Sequence, residues 1–106
     1  MADNTIRILL ACGIGASTGF MAANMRKCAK AKGISADIHA VSRSQVMDYA
    51  DKIDVLLLGP HFAGEVPTYA EKLEPHGVKV MSINPTYYAS FNSEGIINDA
   101  LALYNA

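Results

Sequence analysis

"LLACGIGASTGFM", Leu9 to Met21, is the stretch whose reading decides the fold. An apolar run stops at Cys12, glycines follow at 13 and 15, and Ser17 and Thr18 lead into a new pattern. Upstream, "TIRILLA" (Thr5 to Ala11) is nearly continuous in its apolar half, as a strand buried on both faces should be. Downstream, from Ser17 to Lys32, Phe20, Met21, Met25, Cys28 and Ala29 recur at helical spacing. Asn24, Arg26, Lys27, Lys30 and Lys32 fill most of the remaining face, and Gly33 supplies a glycine stop.

The rest of the chain repeats this alternation. "SADIHAV" (Ser35 to Val41) predicts a second strand, and "SRSQVMDYA" a short helix with Ser42 or Ser44 as its N-cap. "IDVLLLG" (Ile53 to Gly59) is the most strand-like segment and is expected to be central. "FAGEVPTYAEKLEP" predicts a helix over Ala63 to Glu74, starting near Glu65 because Pro67 is tolerated only in a first turn. "VKVMSI" is a fourth strand and "EGIINDALALY" a closing amphipathic helix. The order βαβαβαβα predicts an α/β fold, a three-layer sandwich of helices on both faces of a four-stranded parallel open sheet. The expected strand order is 2-1-3-4. Ligands of such sheets bind beyond the carboxyl ends of the strands, at a switch point in strand order. Cys12 sits at such an end.

Composition narrows the function classes. At 106 residues the chain reads as one domain, residues 1–106. Apolar residues make up 51% and charged residues 18%, a globular balance, and the formal charge of −1 gives no basic footprint for nucleic acid. No apolar run reaches the roughly 18 residues that cross a bilayer. The start "MADNTIR" has no basic n-region, so no secretory signal is expected. Two cysteines, Cys12 and Cys28, make neither a disulfide framework nor a four-ligand zinc site. These features predict a reduced, cytoplasmic setting, no metal and no cofactor.

The segment "CGIGAST" offers backbone N–H groups at the mouth of a helix, with the helix dipole behind them. A thiol there is pulled toward thiolate, the nucleophilic form, and the same N–H groups would hold the oxygens of a phosphoryl group attached to it. Cys12 is therefore the candidate nucleophile, and Gly13, Ile14, Gly15, Ala16, Ser17 and Thr18 the candidate phosphate-binding loop. Cys28, on the apolar stripe, is assigned to packing.

This loop resembles that of the low-molecular-weight protein tyrosine phosphatases, a cysteine, five residues, then arginine. Counting from Cys12, that position holds Thr18, which cannot clamp a phosphoryl group as arginine does. Those phosphatases also use an Asp-Pro acid, where the look-alike here, "NPTYY" (Asn84 to Tyr88), has an asparagine. Both departures keep a nucleophile and cradle while removing hydrolytic parts. Three functions stay open on the residues alone: a phosphoryl carrier, a small phosphatase, and a phosphate-binding regulatory module.

"ILLACGIGASTGFMAANMRKCAKAKGI" and "DVLLLGPHFA" together resemble the IIB component of the bacterial sugar phosphotransferase system (PTS), lactose/cellobiose branch. The likeness runs from the first strand to the final helix. It implies that Cys12 takes a phosphoryl group from a histidine of the IIA partner. It further implies transfer to a sugar of the cellobiose or lactose type held by the membrane component IIC, by a monomeric protein that does not itself enter the membrane. His61, in "GPHFA", is a candidate partner-docking residue or simply an exposed loop histidine. Tyr87 and Tyr88, with Phe91, either cover the sheet edge or form a docking rim.

Overall fold

Alternation along the first strand sends its side chains into two different helical layers. The computed structural model has four strands, β1 (Ile6–Cys12), β2 (Ala36–Ser42), β3 (Val55–Leu58) and β4 (Lys79–Ser82). Its α-helices are α1 (Gly15–Ala31), α2 (Val66–Leu73), α3 (Pro85–Ser90) and α4 (Ser93–Tyr104). Tighter 3-10 segments cover Arg43–Tyr49, Pro60–Glu65 and Glu74–His76. The structure describes residues 5–12 and 15–105, with the side chains of 12 and 15–18 left out of the description.

All strand pairs are parallel and the order is β2-β1-β3-β4, the order expected. Ile8 and Leu10 of β1 face Met21 and Met25 of α1 and Ile96 and Ile97 of α4. Leu9 and Ala11 face the opposite layer, with Val46 of the 43–49 segment and Leu73 of α2. β3 is buried at every residue, as a central strand must be. The edge strand β2 is half solvated, pairing Asp37 with His39 at 2.8 Å on its open face, while Arg26 Nε donates to the Ile38 carbonyl at 2.8 Å. Charge on an edge discourages strand addition there.

Four details differ from the sequence expectation, the first being α3, a helix that the sequence reading did not assign. The helix after β2 is a 3-10 segment, with Ser42 in extended geometry at its N-cap. The helix expected from Ala63 begins as a 3-10 segment at Pro60 and becomes α-helical at Val66, with Pro67 in the first turn. Phe20 leaves the apolar stripe and is 58% exposed. Among the described side chains of α1, the buried ones are Met21, Ala22, Met25 and Ala29. A residue is rotated about 100° from its neighbour in a helix, which carries Phe20 off that line.

Helix α1 closes with a Schellman cap, in which Ile34 N–H donates to Ala29 O (2.8 Å) and Gly33 N–H to Lys30 O (3.2 Å). Gly33 adopts φ +72, the left-handed value this cap requires. The turn before β4 repeats the pattern with Gly77 at φ +75, Val78 N–H donating to Leu73 O and Gly77 N–H to Glu74 O. Helix α3 repeats it again, Asn92 N–H to Tyr87 O and Phe91 N–H to Tyr88 O, but there the left-handed residue is Phe91 at φ +53.

At the amino end of the sheet, Asp54 ties β1 to β3. Its Oδ2 accepts from Arg7 N–H (2.8 Å) and Arg7 Nε (3.2 Å), and its Oδ1 from a terminal guanidinium nitrogen of Arg7 (3.1 Å). Burial alone would push the carboxyl up, but the Arg7 hydrogen bonds and charge outweigh it and hold Asp54 below the usual carboxylate range. A lowered folded-state value stabilises the fold above the ordinary carboxylate pKa of about 4 and is lost as pH falls through the lowered one. Asp54→Asn should therefore cost about 1 kcal/mol at pH 7, modest because Arg7 is half exposed. Urea unfolding should show that gap closing as pH falls below the ordinary carboxylate range, and a gap constant with pH would exclude a charge effect.

Candidate functional site

The strand order reverses around β1, which has β2 on one side and β3 on the other. That makes the carboxyl end of β1 the switch point of the sheet. Cys12 is its last residue, and α1 begins three residues later at Gly15. So short a connection forces the helix amino terminus to lie beside the strand end, with its unpaired N–H groups toward the opening. Gly13 and Ile14 of the expected loop lie outside the described residues, as do the side chains of Cys12, Ala16, Ser17 and Thr18. The backbone places Thr18 in the first turn of α1, which runs on for 17 residues and so carries a full helix dipole.

The neighbouring strand ends wall this opening. Across the ladder, Cys12 is in register with Ser42 of β2. Ser42 Oγ lies 3.0 Å from Ser44 Oγ and donates to Gln45 Oε1 at 3.2 Å, so hydroxyl groups line that side. On the other side Gly59 N–H donates to the Ala11 carbonyl at 3.0 Å, holding the end of β3 against β1. Arg43 follows Ser42, and one of its terminal nitrogens donates to both oxygens of Glu65 (2.6 and 2.5 Å). Its guanidinium lies 3.9 Å from the centre of the Phe62 ring, a cation–π contact. The Arg43–Glu65 pair was not readable in the sequence, since its partners are 22 residues apart.

His61 is exposed in the 3-10 turn after β3, at the same edge of the sheet. Its ring centre is 6.4 Å from that of Tyr88, so the structure brings two of the expected rim residues together. Tyr87 is half buried, with its ring against the backbone of Gly95, where an added Cβ would lie 2.8 Å from Tyr87 Cε2. Asn84 has a structural task, since its Oδ1 accepts from Thr86 N–H (2.8 Å) and Tyr87 N–H (3.4 Å) and caps α3. Cys28 is half buried and packs against the core, as assigned. His39 and His76 hold Asp37 and Asp51 at 2.8 and 2.6 Å, away from the Cys12 edge.

The sequence reading offered Phe91 as a rim residue but missed its partner Phe20, which is exposed and in contact with it. The signal for Phe91 was available. "FNSEG" places Asn92 as a helix N-cap, and the residue before such a cap closes the preceding turn.

Fold and site together define a doubly wound α/β protein whose cysteine stands at the switch point beside a helix amino terminus. Residues 7–98 match the family described as "PTS system, Lactose/Cellobiose specific IIB subunit", and the chain belongs to that family. It is 33% identical to the cellobiose-specific EIIB component of Lactococcus lactis subsp. lactis (strain IL1403), over 99% of this chain and 100% of that protein. The oligo-beta-mannoside-specific EIIB component of Bacillus subtilis (strain 168) is 27% identical over 92% of this chain and 94% of its own. The solution structure of a cellobiose-specific phosphotransferase IIB component from Borrelia burgdorferi superposes with a TM-score of 0.78 at 31% identity, covering 98% of this chain and 95% of that one. Family membership assigns the chain a phosphotransferase role in sugar phosphorylation, alongside IIA and IIC components.

Proposed function

We propose that this chain is the phosphoryl carrier between a IIA histidine and a sugar, with Cys12 as the carrying residue. The observation that supports it most is the position of Cys12, at the switch point and three residues before a long helix, in a member of the IIB family. In the first step the Cys12 thiolate attacks the phosphorus of phosphohistidine. The new S–P bond forms as the N–P bond breaks, and the imidazole leaves with the bond's electron pair. In the second step a sugar hydroxyl held by the membrane component IIC attacks the same phosphorus; the O–P bond forms as the S–P bond breaks, the sulfur leaves as thiolate with that bond's electron pair, and the hydroxyl proton passes to water. Between the steps the loop of Gly13 to Thr18 supplies N–H groups to the phosphoryl oxygens. The acceptor sugar is a β-glycoside of the cellobiose or lactose type. His61, Tyr87 and Tyr88 flank the docked partner.

The protein is proposed to act as a cytoplasmic monomer and a single domain. No described helix is long and apolar enough to cross a membrane. Intact-mass measurement after incubation with phosphorylated IIA should show one added phosphoryl group, mapped to Cys12. Cys28→Ser should keep that gain and its rate within about twofold, because its thiol is assigned to packing. No gain in mass, or a gain mapped to a histidine, would overturn the reading.

A further inference from the structure

Phe91 closes α3 in the left-handed conformation that Gly33 and Gly77 adopt at the two equivalent caps. A phenylalanine is unfavourable there, because its Cβ crowds the following carbonyl. Strain kept at one cap, where glycine serves at the other two, points to a use for the ring. The Phe91 ring is 47% exposed and meets Phe20 edge to face, centres 5.1 Å apart at 87°. Phe20 stands five residues into α1, about 7.5 Å along the axis from the helix start beside Cys12. Two phenyl groups from separate elements thus share one exposed patch on the shoulder of the site.

The chain segments that lead into and out of this end of the sheet carry almost no charge. Between Arg7 and Arg26 the sequence has no charged residue, nor between Lys79 and Glu94, nor, His61 apart, between Asp54 and Glu65. These are the segments that form the ends of β1, β3 and β4 and the elements leading from them. Arg43, after β2, has its charge matched by Glu65. Such a face steers neither sign of partner and loses its water cheaply. What complements it is an apolar, uncharged surface.

We propose that Phe20 and Phe91 are the docking surface for the phosphoryl donor, a protein whose phosphorylated histidine is ringed by an apolar, uncharged face. This rests on Cys12 being the acceptor. The donor histidine must bring its phosphorus to within about 3–3.5 Å of the sulfur, so the surface around it covers this shoulder. A second copy of this chain would bring no phosphoryl group.

Single-turnover transfer from phosphorylated IIA tests this, on the wild type, Phe20→Gln and Phe91→Gly. Both substitutions suit their backbones, and Phe91→Gly should melt about 3 °C or more above Phe91→Ala. The donor concentration for half-maximal rate should rise about tenfold in each, with the saturated rate within about threefold. Wild-type transfer should change less than about twofold between 50 mM and 500 mM salt. Unchanged half-saturation in both variants overturns the proposal, as does a steep salt dependence. So does a defect confined to transfer onto sugar-loaded IIC, or dimerisation of the wild type that Phe91→Gly abolishes. A wild type that takes no label on Cys12 would instead remove the carrier reading beneath it.

Discussion

Cys12→Ser should abolish uptake of the phosphoryl group, lowering its rate by on the order of a thousandfold or more. The loss follows from ionisation. A thiol with an ordinary pKa near 8.5 is partly thiolate at neutral pH, and a helix amino terminus increases that fraction, whereas a serine hydroxyl stays protonated. The hydroxyls of Ser42 and Ser44 and the amide of Gln45, beside the end of β1, cannot make up the difference, since none of them takes a proton at neutral pH. Serine is nearly the size of cysteine, so the melting temperature should change little and the loss cannot be charged to unfolding. Label appearing on the serine variant at the wild-type rate would remove the sulfur from the mechanism. The phosphatase alternative has its own test in the wild type, since efficient turnover of aryl phosphates would support it. Asn84 argues against that alternative on geometry. An aspartate placed there would accept the same two N–H groups of α3, and those bonds would hold it ionised and unable to donate a proton.

What was legible in the sequence, and what was not, divides along a physical line. Strands β1 and β3 are apolar runs closed by glycine, and a run that is buried on both faces needs no long-range information to be recognised. The position of Cys12 followed directly, since a strand that ends in Gly-x-Gly before a helical pattern has one topological place in a parallel sheet. Helix α3 was readable in principle, from Asn84 as N-cap and Pro85 at the first helical position, yet its short span reads equally as a turn. Phe91 was legible as a rim aromatic at the end of a turn, but its pairing with Phe20 was not. Local preference puts glycine or asparagine at a left-handed cap, and only the meeting with Phe20 across the fold gives the ring a role. Arg43 and Glu65 likewise depend on strand ends brought together by the sheet.

Leu56→Ala and Leu57→Ala should each cost about 3 kcal/mol, and together should remove a large part of the protein's stability at 25 °C. The two residues are adjacent in β3 and both fully buried, but they point into different layers. Leu57 packs in the cluster with α1 and α4, Leu56 in the cluster with α2 and the 43–49 segment. Cavities on opposite faces share no lining and cannot collapse into one another, so the two losses should add. A sum of about 6 kcal/mol is comparable with the whole stability of a domain of this size, commonly about 5–15 kcal/mol. Urea titrations of the single variants and the near-ultraviolet circular dichroism of the double variant measure this. A single substitution costing less than about 1 kcal/mol would mean that its face of the sheet is loosely covered, contrary to two packed layers. The same experiment bears on the site. β3 holds the end of β1 through Gly59 N–H and the Ala11 carbonyl, so loosening either layer should also slow phosphoryl uptake at Cys12 before global unfolding.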